Sequence, residues 1–205
     1  MLPLNESLLK WADELEKYKF PGWEALPDID LYMDQIITYL ERQMSVYMQS
    51  TEEKPITPAM INNYVKSEVI PRPLQKKYAR EHLVYLMAVL HLKQVLSLSD
   101  ITRLMAYKNS DEPIQAFLQE FNTILQETFQ SASEKVRESL LKLGDCPPPE
   151  ESERELAQLA LKLSLEANTN RIVSKRILDE INLRKIKALE EKAEKSKEKD
   201  RIKDK

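Results

Sequence analysis

Glycine scarcity constrains this chain more than any other feature: only Gly22 and Gly144 occur among its 205 residues. Glycine alone enters positive φ without steric cost, so tight hairpins, phosphate-cradling loops and dinucleotide-binding turns depend on it. A chain with two glycines is expected to fold as helices joined by Pro-, Ser- and Asp-based turns. P-loop and Rossmann chemistry drop out for the same reason. At 42% hydrophobic and 32% charged residues, the chain has the apolar surface for a packed all-α body.

The single cysteine, Cys146, rules out an intrachain disulfide and a thiolate-rich metal site, and it fits a reducing compartment. Glu6, Asp13, Glu14 and Glu16 break up the N-terminal stretch, so no secretory leader is expected there. No apolar run is long enough to cross a bilayer. A cytoplasmic location without a membrane partner is therefore expected.

Leu8, Leu9, Trp11, Ala12, Leu15 and Tyr18 recur at helical spacing and predict a first helix over 6–19, stopped by Phe20-Pro21-Gly22. Asp28 or Asp30 is expected to cap a second helix over 31–47, with Met33, Ile36, Ile37, Leu40, Met44 and Tyr47 inward. Thr57-Pro58 reads as the N-cap and first residue of a short third helix, which Pro71 and Pro73 forbid past about Glu68. A turn or small hairpin is expected over 69–78, then a helix over 80–95 with Leu83, Leu86, Met87, Leu90 and Val95 inward. Ser97 with Asp100 opens another, with Ile101, Leu104 and Met105 inward.

Ser110 or Asp111 should cap the next helix, which runs to about Leu143 with Phe117, Phe121, Ile124, Leu125, Phe129, Val136 and Leu140 on one stripe. The run from Gly144 to Pro149 breaks the chain, and Ser152 is expected to cap a long helix over 153–189. The charged residues beyond it should fray or continue the helix only in part. The expected organisation is an N-terminal helical domain over 1–108, a C-terminal helical region for dimerisation or regulation over 109–190 and a charged tail over 191–205.

The net charge of −3 conceals blocks of opposite sign. Residues 1–55 carry 5 basic and 11 acidic side chains, 56–108 carry 8 and 3, 109–155 carry 4 and 11, and 156–205 carry 14 and 9. Association with phosphate responds to the local field, so the basic block at 56–108 is the segment to inspect. Asn62 and Asn63 have short amides suited to adenine edges in a major groove, and Lys66 and Tyr64 could bond phosphates. Arg72, Lys76, Lys77 and Arg80 could track a backbone, with Tyr78 packing the turn or touching phosphate.

Each signal has a plainer alternative. The asparagines could stabilise a surface turn, the basic residues could be a solvated face, and both tyrosines could be core-edge aromatics. Phe117, Phe121 and Phe129 with Trp23 could line a ligand pocket, but such stripes are more often core. His82 and His91 lie nine residues apart on opposed faces of one helix and cannot share a metal. Leu156, Leu159, Ala160, Leu163, Ala167, Val173, Ile177 and Ile181 form a stripe broken by Asn170 and Ser174, which suits either packing along the body or pairing with a second copy.

The run Met60-Ile61-Asn62-Asn63-Tyr64, then Glu68-Val69-Ile70-Pro71, Lys76-Lys77-Tyr78 and Ser97-Leu98-Ser99-Asp100-Ile101 resembles the DNA-binding domain of MerR-type regulators in order and spacing. Leu31 to Gln35 and Met60 to Lys66 resemble, more closely, an uncharacterised bacterial family catalogued as a domain of unknown function (DUF1836), over about Trp23 to Met105. The first resemblance implies an all-α, winged helix-turn-helix fold with a small wing. It also implies a regulator that binds duplex DNA through Thr57, Met60, Asn62, Asn63, Tyr64 and Lys66, with Arg72, Lys76, Lys77, Tyr78 and Arg80 as wing contacts. Where those regulators have a turn glycine this chain has Glu68, so a different turn geometry is expected.

A homodimer through the C-terminal helices, no cofactor and no metal are expected. No carboxylate pair, Ser/His/Asp set or glycine-cradled anion site stands out, so the chain is not expected to be an enzyme. The alternative is a helical protein-interaction module that has lost DNA affinity.

Overall fold

The computed structural model describes residues 4–44, 56–106, 113–143 and 148–203, with side chains apart from those of Pro149 and residues 193–203. Among the described residues all regular elements are helical: α1 (Leu4–Lys17), α2 (Met33–Gln43), α3 (Pro58–Lys66), α4 (Arg80–Leu92), α5 (Leu98–Ala106), α6 (Ile114–Lys142) and α7 (Pro149–Lys203), with a 3₁₀ turn at Trp23–Ala25. The expected caps at Ser110 or Asp111, together with Tyr47 and Cys146, lie outside the described residues.

Local capping chemistry explains two helix starts. Thr57 Oγ1 accepts a hydrogen bond from the Met60 N–H at 3.3 Å, and Pro58 follows as the first helical residue. At α5, the Ser97 hydroxyl accepts from the Asp100 N–H at 3.2 Å and donates to the Asp100 carboxylate at 2.6 Å. Two expected caps fail. The N-cap of α2 is Tyr32, whose N–H donates to Gln35 Oε1 at 2.9 Å, rather than Asp28 or Asp30. The cause is non-local: Leu31 exchanges both backbone hydrogen bonds with Tyr78, at 3.0 and 2.9 Å, and cannot enter the helix. Ser152 is not the cap of α7 either. The helix has already begun at Pro149, and the Glu151 and Ser152 N–H groups both donate to the Pro148 carbonyl at 3.1 Å.

The main core gathers Phe20, Ile36, Leu40, Ile61, Leu83, Leu86, Met87, Leu90 and Ile101, all at 1% exposure or less. Helix α4 supplies more of it than any other element because it is apolar nearly all round, which is the mark of a central helix. The cluster continues past residue 108 into Ile114 and Leu118 of α6. Phe117 and Phe121 of the Phe stripe pack against this core: Phe20 stacks on Phe121 at 5.8 Å and Phe117 lies 5.9 Å from Phe121.

A second, smaller cluster joins Ala12 of α1, Val136 and Leu140 of α6, and Leu156 and Leu159 of α7. Helices α1 and α6 run antiparallel, since Ala12 meets Ser133 while Phe20 meets Asn122. Helix α7 returns along α6 through Lys135–Glu166 and reaches α5 through Arg103–Asp179 at 2.9 Å.

Several residues expected inward are exposed: Leu9, Trp11, Val95, Leu104 and Ile124; Val173, Ile177 and Ile181, of the stripe expected either to pack on the body or to pair with a second copy, are exposed as well. Leu178 is the residue buried on that stretch of α7, so the predicted stripe rotates off the packed face. The helix itself runs to Lys203 rather than ending near Leu189. No glycine or proline follows Pro149, and Ala, Glu, Lys and Leu are strong helix formers. At 55 residues its axis is about 82 Å long, taking 1.5 Å per residue.

Candidate nucleic-acid interface

Helix α3 has two distinct faces. Ile61 and Tyr64 are buried, at 0% and 3% exposure, with Met60 and Val65 partly buried beside them. Ala59, Asn62, Asn63 and Lys66 are exposed and fall at i, i+3, i+4 and i+7, a single outward stripe. Short side chains on that stripe leave the helix backbone close to any surface laid against it, with one cation at its C-terminal end.

The segment after α3 is held by backbone geometry that non-glycine residues rarely adopt. Glu68 has φ 57°, the left-handed conformation. The Val69 N–H donates to the Tyr64 carbonyl and the Glu68 N–H to the Val65 carbonyl, each at 3.1 Å, which is the Schellman pattern that ends a helix on a left-handed residue. Glu68 therefore adopts the geometry a glycine would supply, against the expectation of a different turn. Gln75 and Lys76 follow with φ 49° and 64°, and the Lys77 N–H donates to the Leu74 carbonyl at 2.9 Å. Positive φ at both central residues is the signature of a type I′ two-residue hairpin turn. Leu74 pairs with Lys77, and Tyr78 next to it pairs with Leu31, so the turn is tied back to the start of α2.

The eleven residues singled out from the sequence divide by environment. Asn62, Asn63, Lys66, Arg72 and Lys76 are exposed, and Lys77 is half-buried with its ammonium 5.5 Å from the Tyr32 ring centroid. None of these four cations has a carboxylate within ion-pair distance among the described residues. Thr57 caps α3, and Met60 packs inward with the Lys93 ammonium 3.9 Å from its sulfur.

Tyr64 and Tyr78 are core residues, each 3% exposed, and burial pushes both phenols above the ordinary tyrosine range. Arg80 is also taken by the fold. Its Nε donates to the Pro27 carbonyl at 3.2 Å, its guanidinium lies 5.1 Å from the Trp23 ring, and Glu24 is 3.9 Å away. Ala59, Tyr32 and Gln75 belong to this surface and were missed. The helical period from Asn62 points to Ala59. Nothing local in the sequence pairs Tyr32 with Lys77.

Among the described residues no cluster of His, Cys, Asp and Glu is placed to hold a metal ion, and no helix is long and apolar enough to cross a membrane. The molecule is thus an all-helical protein with a polar, cation-edged helix face and a tight, strained turn beside it. By sequence, residues 21–135 match the family model for a domain of unknown function, DUF1836, and the chain belongs to that family. The match spans α2 to α5 and most of α6, so it takes in the main core and the whole candidate surface. No curated protein and no solved structure matches the chain.

Proposed function

We propose that this protein binds double-stranded DNA as a winged helix-turn-helix regulator of MerR-like type, with α3 in the major groove and the 71–77 hairpin as a short wing. The exposed stripe Ala59, Asn62, Asn63 and Lys66, followed in the chain by Arg72, Lys76 and Lys77 without carboxylate partners, carries this reading. Asparagine amides pair bidentately with adenine, and unpaired cations gain most from phosphate because no ion pair must first be broken. Among the described residues the order helix, helix, hairpin, helix supports it, as does the Leu31–Tyr78 pairing that ties the hairpin to α2.

Two-fold symmetry suits a reader of paired half-sites. Leu161, Leu165, Ile172, Leu183 and Ile186, each 43–61% exposed, recur on one side of α7 at steps of 4, 7, 11 and 3, which fits a helix that pairs with a second copy.

Binding of the full chain to random-sequence duplex, followed by fluorescence anisotropy across a salt series with light scattering for mass, tests the reading. Salt-sensitive binding by a dimer is expected. Lys76→Ala with Lys77→Ala should weaken every duplex and lower the log–log salt slope by about 1.8, taking about 0.9 per phosphate contact. Asn62→Ala with Asn63→Ala should leave the slope alone and flatten sequence preference. Absence of binding at low salt would favour the second reading, a helical protein-interaction module. The engagement of Arg80 by Glu24, Trp23 and Pro27 is the observation on that side.

A further inference from the structure

A cavity of about 420 Å³ opens where the end of α4, helix α5 and the middle of α7 meet, walled by Leu92, Leu96, Leu104 and Leu178. Small-ligand pockets run from roughly 300 to 1,000 Å³. Val95, Leu104 and Ile177 at this site stay 47%, 38% and 53% exposed, so large apolar side chains face an open space instead of each other.

One side of the cavity is polar, formed by Asn170, Arg171 and Ser174. Arg171 donates to Asn168 Oδ1 at 3.1 Å and has no carboxylate within ion-pair distance among the described residues. Three cations on or against α7 are paired, Arg103 with Asp179, Lys135 with Glu166 and Arg176 with Glu180, while Arg171 shares its lack of an acid at that distance with Lys162, Lys175 and Arg184 but is the cation that lines this cavity. Three and four residues to either side of Arg171 stand Ala167, Asn168, Ser174 and Lys175, so its own helix offers it no acid.

We propose that this cavity binds a small aliphatic monocarboxylate, its chain against the leucine walls and its carboxylate on Arg171. A planar guanidinium matches a carboxylate bidentately, and a single cation suits a single negative charge. The apolar walls disfavour sugars and other polyhydroxyl ligands, whose hydroxyl groups would lose water without gaining partners. The walls come from α4 and α5 on one side and α7 on the other, so an occupant adds contact between α7 and the body. The Arg103–Asp179 ion pair joins the same helices. No residue of α3 or its following turn takes part, so the site stands or falls independently of DNA binding.

Isothermal titration calorimetry on the full chain tests it, with octanoate as the probe and octanol as the uncharged analogue. Octanoate is expected to bind the wild-type chain at one site. Affinity should fall at least about ten-fold in Arg171→Met, and at least about ten-fold for octanol on the wild type. Leu104→Trp, which fills the cavity, should abolish binding. Circular dichroism at 222 nm checks that each variant folds, and Ser174→Trp at the exposed rim replaces Leu104→Trp if that variant does not. No binding to the wild-type chain overturns the proposal, and so does equal octanoate affinity in Arg171→Met. Binding that survives cavity filling also overturns it, because the carboxylate would then sit on Arg171 outside the cavity.

Discussion

Glu68→Gly should stabilise this protein. A left-handed conformation costs an L-residue roughly 1–2 kcal/mol, and Glu68 holds one at φ 57°. Glycine removes that cost but loses more backbone freedom on folding, about 0.5–1 kcal/mol. The difference leaves a net gain of about 0.5–1 kcal/mol. The Glu68 carboxylate contributes nothing to offset it, since the side chain is exposed and has no ion pair among the described residues. Both Schellman hydrogen bonds are made by backbone groups and survive the change.

For a chain of this length about 1 kcal/mol corresponds to roughly 2–4 °C in Tm, so Tm should rise by about 1–4 °C. Urea unfolding followed by circular dichroism should give a higher midpoint with an unchanged m-value. Glu68→Ala is the control: it keeps a Cβ in the left-handed position, so it should stay within about 0.5 kcal/mol of wild type. A loss of stability in Glu68→Gly, or an equal gain in Glu68→Ala, would refute the assignment of strain to this residue.

Lys76→Gly should raise Tm in the same way, because Lys76 is the second left-handed residue of its hairpin turn. Under the proposed function it should also weaken duplex DNA binding, so stability and affinity move in opposite directions. Burial among Phe20, Tyr18 and Phe121 lowers the His91 imidazole from 6.5 to about 4, desolvation outweighing the Met87 carbonyl that favours its charged form. A depressed histidine pKa means the unfolded chain binds the extra proton first, so stability is full above pH 6.5 and falls as pH drops towards 4. The loss should approach about 3 kcal/mol by that point. Urea midpoints from pH 7 to 4.5 should fall less steeply in His91→Phe than in the wild type. Leu86→Ala, in the middle of the main core, should cost about 2–5 kcal/mol by urea titration with m unchanged. Leu165→Glu on the exposed side of α7 should halve the mass measured by light scattering if two copies pair there, and leave the unfolding midpoint unmoved in dilute solution.

What was legible in the sequence was what neighbouring residues decide. Thr57 before Pro58, and Ser97 three residues before Asp100, mark helix starts by hydrogen bonds that close within one turn. The alternation of Asn62 and Asn63 with Ile61 and Tyr64 shows which side of α3 is wet, because the period of the helix fixes it. What was not legible depends on distant partners. Asp28 and Asp30 are sound N-caps by type, yet α2 starts later because the Leu31 backbone pairs with Tyr78 across the fold. Arg80 looks like part of a basic strip until Trp23, Glu24 and Pro27 close on it from more than fifty residues away in the chain. Ile177 and Leu178 are neighbours of equal hydrophobicity, and only the position of α5 decides that Leu178 is buried and Ile177 is not.

The glycine argument shows most clearly where composition misleads. Two glycines in 205 residues imply a chain that avoids left-handed turns, yet Glu68, Gln75 and Lys76 all adopt positive φ, and all three fall within nine residues. Strain of this kind costs of order 1–3 kcal/mol per residue and persists only where the surroundings over-determine it. Here they do, through the Schellman bonds at one end and the Leu31–Tyr78 and Leu74–Lys77 pairings at the other. Glycine at each position would hold the same backbone with less strain, but it would leave the surface beside α3 without the Glu68, Gln75 and Lys76 side chains. Of the three, Lys76 is the one that the proposed function uses, as an unpaired cation next to Lys77 and close in sequence to Arg72. The strain and the unpaired positive charge thus fall on one short segment. That coincidence makes this turn, rather than the acidic segments at 1–55 and 109–155, the place where a function should first be sought.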